Sequence, residues 1–112
     1  MKAPRLNRAL ALENPVSTPD GAGGFAQSWV ELGHLWADVA FRSGRETAAG
    51  GGARSVASYK ITVRAAPVGS TMRPRAEQRF REGTRLFRIL SVAEKDAEGR
   101  YLICIAQEEA AA

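Results

Sequence analysis

The sequence predicts an all-β fold, a small single-domain barrel or sandwich of about six to seven antiparallel strands. Three observations carry this expectation. Apolar residues recur with period two, as where Tyr59, Ile61 and Val63 alternate with Lys60, Thr62 and Arg64. Turn formers punctuate the alternating runs, with 11 glycines and 5 prolines in 112 residues. The run Thr18-Pro19-Asp20-Gly21-Ala22-Gly23-Gly24-Phe25 reads as a hairpin turn. There Pro19 presets φ and the glycines can take the positive φ that the return needs.

The first strand is Leu6 to Glu13, with Leu6, Leu10 and Leu12 on one face and Pro15 and Pro19 ending it. Phe25 to Leu32 forms the second, with Phe25 and Trp29 on the same face, and Leu35 to Phe41 the third. Gly33-His34 between them is a bulge or tight kink, so the two runs make either one bent strand or two. Ser43 to Ser55 contains Gly50, Gly51 and Gly52 and shows no apolar periodicity, which predicts a long, mobile, glycine-rich loop. It is not a phosphate loop, because no Gly-Lys-Ser/Thr completes one. Ala57 to Ala65 is the clearest strand, and Pro67 to Glu77 is irregular. Gln78 to Arg81 turns at Glu82-Gly83-Thr84 into Arg85 to Ala93, where Phe87 and Ile89 oppose Leu86, Leu90 and Val92. Arg100 to Gln107 closes the sheet, and residues 108–112 read as a frayed tail.

The last two strands are apolar on both faces. A one-layer sheet normally keeps one face polar. The outer side is therefore expected to pack on a folded-back segment or a neighbouring subunit. The expected core is built on Trp29, Trp36, Tyr59, Ile61, Phe87 and Ile103, with the two tryptophans as its anchors.

A chain of 112 residues supports one domain, residues 1–112, with one modest core. No stretch approaches the roughly 20 apolar residues of a membrane span. Met1-Lys2-Ala3-Pro4-Arg5 is not followed by the apolar run of a secretion signal, so synthesis in a reducing interior is the expectation. Cys104, the only cysteine, reads as a small buried apolar residue, and His34, the only histidine, as a surface loop residue. One histidine and one cysteine make no metal cluster of recognised spacing, and no motif surrounds a serine nucleophile. No cofactor, metal or catalytic residue is predicted, and the chain does not read as an enzyme.

The net charge is +4, and 13 of the 16 cations are arginine. Arg64, Arg79, Arg81, Arg85 and Arg88 belong to an arginine block that reads as a candidate interface, since the guanidinium fork suits paired carboxylates. DNA proximity and a solvated face are the alternatives for the same block. Small barrels also bind single strands through aromatics and arginines, which keeps a monomeric nucleic-acid-binding barrel open as a second reading. Most of the aromatics sit at alternating positions that a core would claim.

From Leu6 to Glu108 the chain resembles the small head-closure, or stopper, proteins that join heads to tails in long-tailed phages. The matching segments are the opening Leu-x-x-x-Leu-x-Leu-Glu run, Pro19-Asp20-Gly21-Ala22-Gly23-Gly24-Phe25 with Ser28-Trp29, and Leu35-Trp36-Ala37. Ser43-Gly44-Arg45-Glu46, Tyr59-Lys60-Ile61-Thr62-Val63-Arg64, Arg79-Phe80, Gly83-Thr84-Arg85-Leu86-Phe87-Arg88-Ile89 and Leu102-Ile103-Cys104 follow in order. The chain departs from the pattern in added length at Met72–Glu77, in Ala9 where an arginine is usual, and in the glycine-rich stretch after Glu46.

The resemblance implies a β-barrel protomer that assembles with itself into a ring, a hexamer, in the neck of the particle. The ring would lie between the portal and adaptor above and the tail tube below, and would retain packaged double-stranded DNA. Synthesis and assembly would take place in the bacterial cytoplasm, with no membrane partner. Alanine- and arginine-rich usage resembles versions from prophages and gene transfer agents. Adaptor and tail-completion roles are close alternatives. A stopper needs a segment that opens and closes a channel, and the 43–55 stretch is the candidate, with Arg45 and Arg54 near its ends and Gly50, Gly51 and Gly52 between.

Overall fold

The alternating runs become strands, and each strand pairs antiparallel with the neighbours on both of its sides. The computed structural model describes residues 3–49 and 52–109, with side chains described for these except 45–49 and 52–55. The elements are β1 (Arg8–Pro19), β2 (Phe25–Ala49), β3 (Gly52–Arg64), β4 (Arg79–Glu82), β5 (Arg85–Glu94) and β6 (Tyr101–Glu109). One sheet closes on itself in the order β1-β2-β3-β6-β5-β4. Three pairs, Ala11↔Arg81, Leu12↔Phe80 and Glu13↔Arg79, make the closing seam. Closure removes the free edges an open sheet would present.

The core is the inward parity of these strands. Leu10 and Leu12, Ile61 and Val63, Phe80, Phe87 and Ile89, and Leu102 and Cys104 are fully buried. Tyr59 packs against this cluster, its ring edge-on to Phe87 at 5.3 Å. Parity also corrects the expected anchors. Leu35, Ala37 and Val39 face inward on β2, so Trp36 between them points outward and is 62% exposed. Ile103 likewise stands on the outer wall, half-buried, because Leu102, Cys104 and Ala106 take the inner face of β6. Side-chain size suggested an anchor at position 36, and alternation decided otherwise.

The two-sided apolar pattern of β5 has a local cause. Its pairing with β6 passes from Ile89↔Ala106 to Ser91↔Ile105, so Leu90 is an extra residue that flips the parity. Phe87 and Ile89 face the core before the bulge, and Val92 packs against it afterwards.

β2 is the long element. Its 25 residues would span roughly 80 Å if straight, yet the longest dimension of the molecule is 50 Å. Bulges bend it. Leu32 is the extra residue where pairing passes from Leu12↔Gly33 to Glu13↔Glu31, and Arg42 where it passes from Phe41↔Tyr59 to Ser43↔Ser58. The runs on either side of Gly33-His34 are thus one bent strand, and His34 lies in that strand rather than in a loop. β1 runs on through Pro15, which pairs with Trp29. Beyond Glu13, β1 has only β2 beside it, so an imino nitrogen can be accommodated at the free edge.

The 43–55 stretch, read as a long, mobile, glycine-rich loop, has its described backbone in a hairpin arm. Its backbone continues the β2–β3 ladder from Ser43↔Ser58 to Ala49↔Gly52. Alternation is silent there because an arm beyond the barrel has no core to face. Gly50 and Gly51 lie outside the described residues. Glu108 and Glu109, read as part of a frayed tail, belong to β6 and pair with Phe87 and Leu86. Residues 110–112 of that tail lie outside the described residues.

Residues 65–78 cross from β3 to β4 over the end of the barrel where β2 enters. Gly33 lies under this crossing at a positive φ of 156°, and a Cβ there would meet only the flexible end of Met72. Gln78 anchors it: the buried amide donates to Asn14 Oδ1 at 2.9 Å and accepts from the Arg75 N–H at 2.8 Å. Glu77 takes a positive φ of 75° to turn the chain into β4.

Candidate functional site

Two arms leave the barrel at opposite ends of β2, because that strand pairs with β1 at its start and with β3 at its end. The first arm runs from Glu13 to Glu31. Its tip is held by Asp20, whose Oδ1 accepts from the Ala22 N–H at 2.8 Å and the Gly24 N–H at 3.1 Å. Those two backbone donors hold the Asp20 carboxyl below the usual carboxylate range. Gly21 and Gly23 supply the positive φ of the turn, at 82° and 87°. Phe25 follows the turn and is 72% exposed. The second arm is the β2–β3 hairpin. At its base Phe41 meets Tyr59 edge-on at 5.8 Å and stays 64% exposed.

The barrel side of the first arm carries a ladder of ion pairs. Glu13 on β1 lies opposite Arg79, and Arg81 stands two residues on along β4 and the same face. Arg79 Nε donates to Glu13 Oε1 at 2.7 Å and Arg81 Nε to Oε2 at 2.8 Å. Burial of Glu13 raises its pKa, but the hydrogen bonds from Arg81 and Arg79 outweigh that and hold it below the ordinary value. The Arg79 guanidinium also covers the Trp29 ring at 4.0 Å. Trp29 is therefore a platform on the arm, half-buried under an arginine, and not a core anchor. Arg81 reaches Glu31 at 3.1 Å, and Arg88 reaches Glu77 at 2.6 Å. Arg8 Nε donates to Glu82 at 2.9 Å, and Arg85 Nε to Glu108 at 2.8 Å. The Arg8 hydrogen bond lowers the Glu82 pKa, and the Arg85 hydrogen bond lowers that of Glu108.

Four of the five arginines expected at an interface, Arg79, Arg81, Arg85 and Arg88, are thus engaged within the chain. Arg64 is the exception; its guanidinium lies 5.6 Å from the Tyr101 ring centroid. Among the described residues, Arg42, Lys60 and Arg64 meet no carboxylate, which leaves unpaired positive charge along β2 and β3. The sequence reading missed Glu13 as an organiser of this block. The available signal was an acid at the end of an otherwise apolar run, Leu10-Ala11-Leu12.

For the proposed channel residues, the backbone is described at three of five positions. Arg45 pairs with Val56, Arg54 with Thr47 and Gly52 with Ala49. The Arg45 and Arg54 side chains, with Gly50 and Gly51 entire, lie outside the described residues. A cleft of about 450 Å³ opens beneath the 65–78 crossing, with Leu32 and Val68 on its apolar wall and Arg73 and Arg75 at its rim. No group of three or more His, Cys, Asp or Glu side chains among the described residues could hold a metal ion.

The site is thus a closed barrel with two projecting hairpin arms, one with an exposed aromatic residue beside its tip and the other with one at its base. The chain belongs to the phage head completion protein family, whose profile matches residues 1–109, and is a structural protein of a phage-type head. It is 54% identical, with a TM-score of 0.86, to a chain in the virion of a native gene transfer agent particle, covering 98% of this chain and 100% of that one. A solution structure of a protein from Shigella flexneri 2a shares the fold, with a TM-score of 0.67 and 23% identity over 98% of each chain. A search of curated proteins finds no match.

Proposed function

We propose that the protein is a head-closure subunit of a gene transfer agent or similar phage-like particle. Copies form a ring in the neck, a hexamer by family resemblance, that joins the portal and adaptor to the tail and retains the packaged DNA. The observation that carries this reading is the pair of arms at opposite ends of one strand. A rigid closed barrel serves as the hub, and each arm reaches away from it toward a different neighbour. The match at 54% identity to a gene transfer agent virion chain supports the particle context. The arginines paired within the chain stabilise the hub, so docking falls to surfaces without internal partners.

The β2–β3 arm is the channel element in this reading. Arg45 and Arg54 fall within it, and Arg42, Lys60 and Arg64 continue the basic character toward the barrel. A ring repeats those charges beside a duplex that carries one phosphate charge per roughly 1.7 Å. Native mass measurement of the purified chain, alone and on isolated necks, tests the ring directly. Shortening Gly50–Gly52, with fold and assembly checked first, should release DNA from filled particles or stall tail joining. Shortened particles that hold and deliver DNA normally would leave that arm as a connector only.

A further inference from the structure

Resting on the ring reading above, we infer that the tip of the β1–β2 arm docks into the cleft under the 65–78 crossing of a second copy of this chain. The arm supplies a knob. Phe25 is 72% exposed at its tip, and Asp20 is the only charged residue from Pro15 to Trp29. The cleft supplies the complement: an apolar wall that includes Leu32 and Val68, and a rim that carries Arg73 and Arg75 with no acidic residue in the lining. Val68 is 85% exposed, so this wall lacks an occupant from its own chain.

The rim is fixed in place. Arg73 Nη1 donates to the Ala66 carbonyl at 2.8 Å, and buried Gln78 accepts from the Arg75 backbone N–H at 2.8 Å. The Arg75 guanidinium meets no carboxylate among the described residues. Asp20 uses Oδ1 for its own turn, which leaves Oδ2 to receive a guanidinium.

Reach decides whose cleft is filled. Phe25 lies seven residues from Leu32 along β2, roughly 23 Å of strand. The arm therefore points its tip away from its own cleft, by a distance close to the 24 Å shortest dimension of the molecule. One neighbour's cleft lies within that span. The contact is head-to-tail: tip and cleft are different surfaces, so each copy donates one and receives the other. Such contacts close into rings when the rotation between copies permits. The other exposed aromatics suit this contact less well. Phe41 already has Tyr59 against it, and Trp36 stands on the barrel wall rather than on an arm.

A disulfide trap tests the contact. Phe25→Cys and Val68→Cys in one chain change two exposed residues, and Cys104 is buried and gives no background. Their separation within a chain exceeds the roughly 7 Å limit for bridging Cα atoms, so only bonds between copies can form. On mild oxidation the double variant should give a ladder of covalent oligomers ending at the ring size, and each single variant should not. In parallel, Asp20→Asn, which keeps the turn acceptor, and Arg75→Ala should each weaken association about tenfold or less, with no further loss in the double variant. A ring that forms by native mass but gives no ladder beyond the single-cysteine controls overturns this contact and leaves the ring reading standing. A chain that stays monomeric in solution and on isolated necks overturns both.

Discussion

Replacing Glu13 with alanine should destabilise the protein far more than replacing the much larger Trp36. Glu13 holds two guanidinium groups at the seam where β4 returns to β1. The Arg79 half is mostly out of water, with 15% and 8% of the two side chains exposed. Removing one partner of such a pair strands the other and costs about 3 kcal/mol. The Arg81 half is more open, with 38% of the arginine side chain exposed, and adds roughly 0.5–1 kcal/mol. The sum is about 4 kcal/mol. For a chain of 112 residues the unfolding entropy gives roughly 4 °C per kcal/mol, so the midpoint should fall by about 16 °C. Trp36→Ala, at a site 62% exposed, should cost under about 1 kcal/mol rather than the 3–5 of a buried tryptophan. Urea and thermal unfolding of both variants at two protein concentrations would separate fold stability from self-association. A Glu13→Ala midpoint at the wild-type value, or a larger loss for Trp36→Ala, refutes the ionic-seam account.

Acid should weaken the barrel through the same carboxylates. Glu13, Glu82 and Glu108 have folded pKa values below the ordinary 4.5, so their contribution is complete above that value and is lost as pH falls through the folded pKa values. Melting temperature followed from pH 6 to pH 2 should drop through this window, and a flat profile contradicts the assignment. Gly33→Ala should cost roughly 1–3 kcal/mol through backbone strain at φ 156°. Because Met72 contributes only its flexible end, adding Met72→Ala should not recover the loss in a urea titration. Burial pushes the Cys104 thiol up to about 12, so thiol reagents should label it only as fast as the barrel opens; immediate labelling of the native protein would place it at the surface.

Much of the fold was legible because a half-buried strand announces itself by alternation. Tyr59, Ile61 and Val63 against Lys60, Thr62 and Arg64 located β3, and Phe87 with Ile89 located β5. Alternation failed where a strand has no core to face, as in the β2–β3 arm, and where a bulge shifts parity, as at Leu90. It also ranked residues by size where parity mattered more, which is why Trp36 was expected inside. The arginine block was visible in the sequence, but its internal pairing was not. For Arg79 and Arg81 that pairing depends on Glu13 and Glu31 being brought to β4 by the seam that barrel closure creates, and for Arg85 on the β5–β6 register that sets Glu108 beside it.

The role proposed for this chain is to close the head and hold the DNA inside. The most direct measurement is the amount of nuclease-protected DNA in heads assembled without the chain. Such heads should package DNA and then leave it exposed to nuclease, fail to join tails, and recover both properties when the purified chain is added back. Heads that lack the chain yet keep their DNA protected and carry tails at the wild-type level would contradict the account.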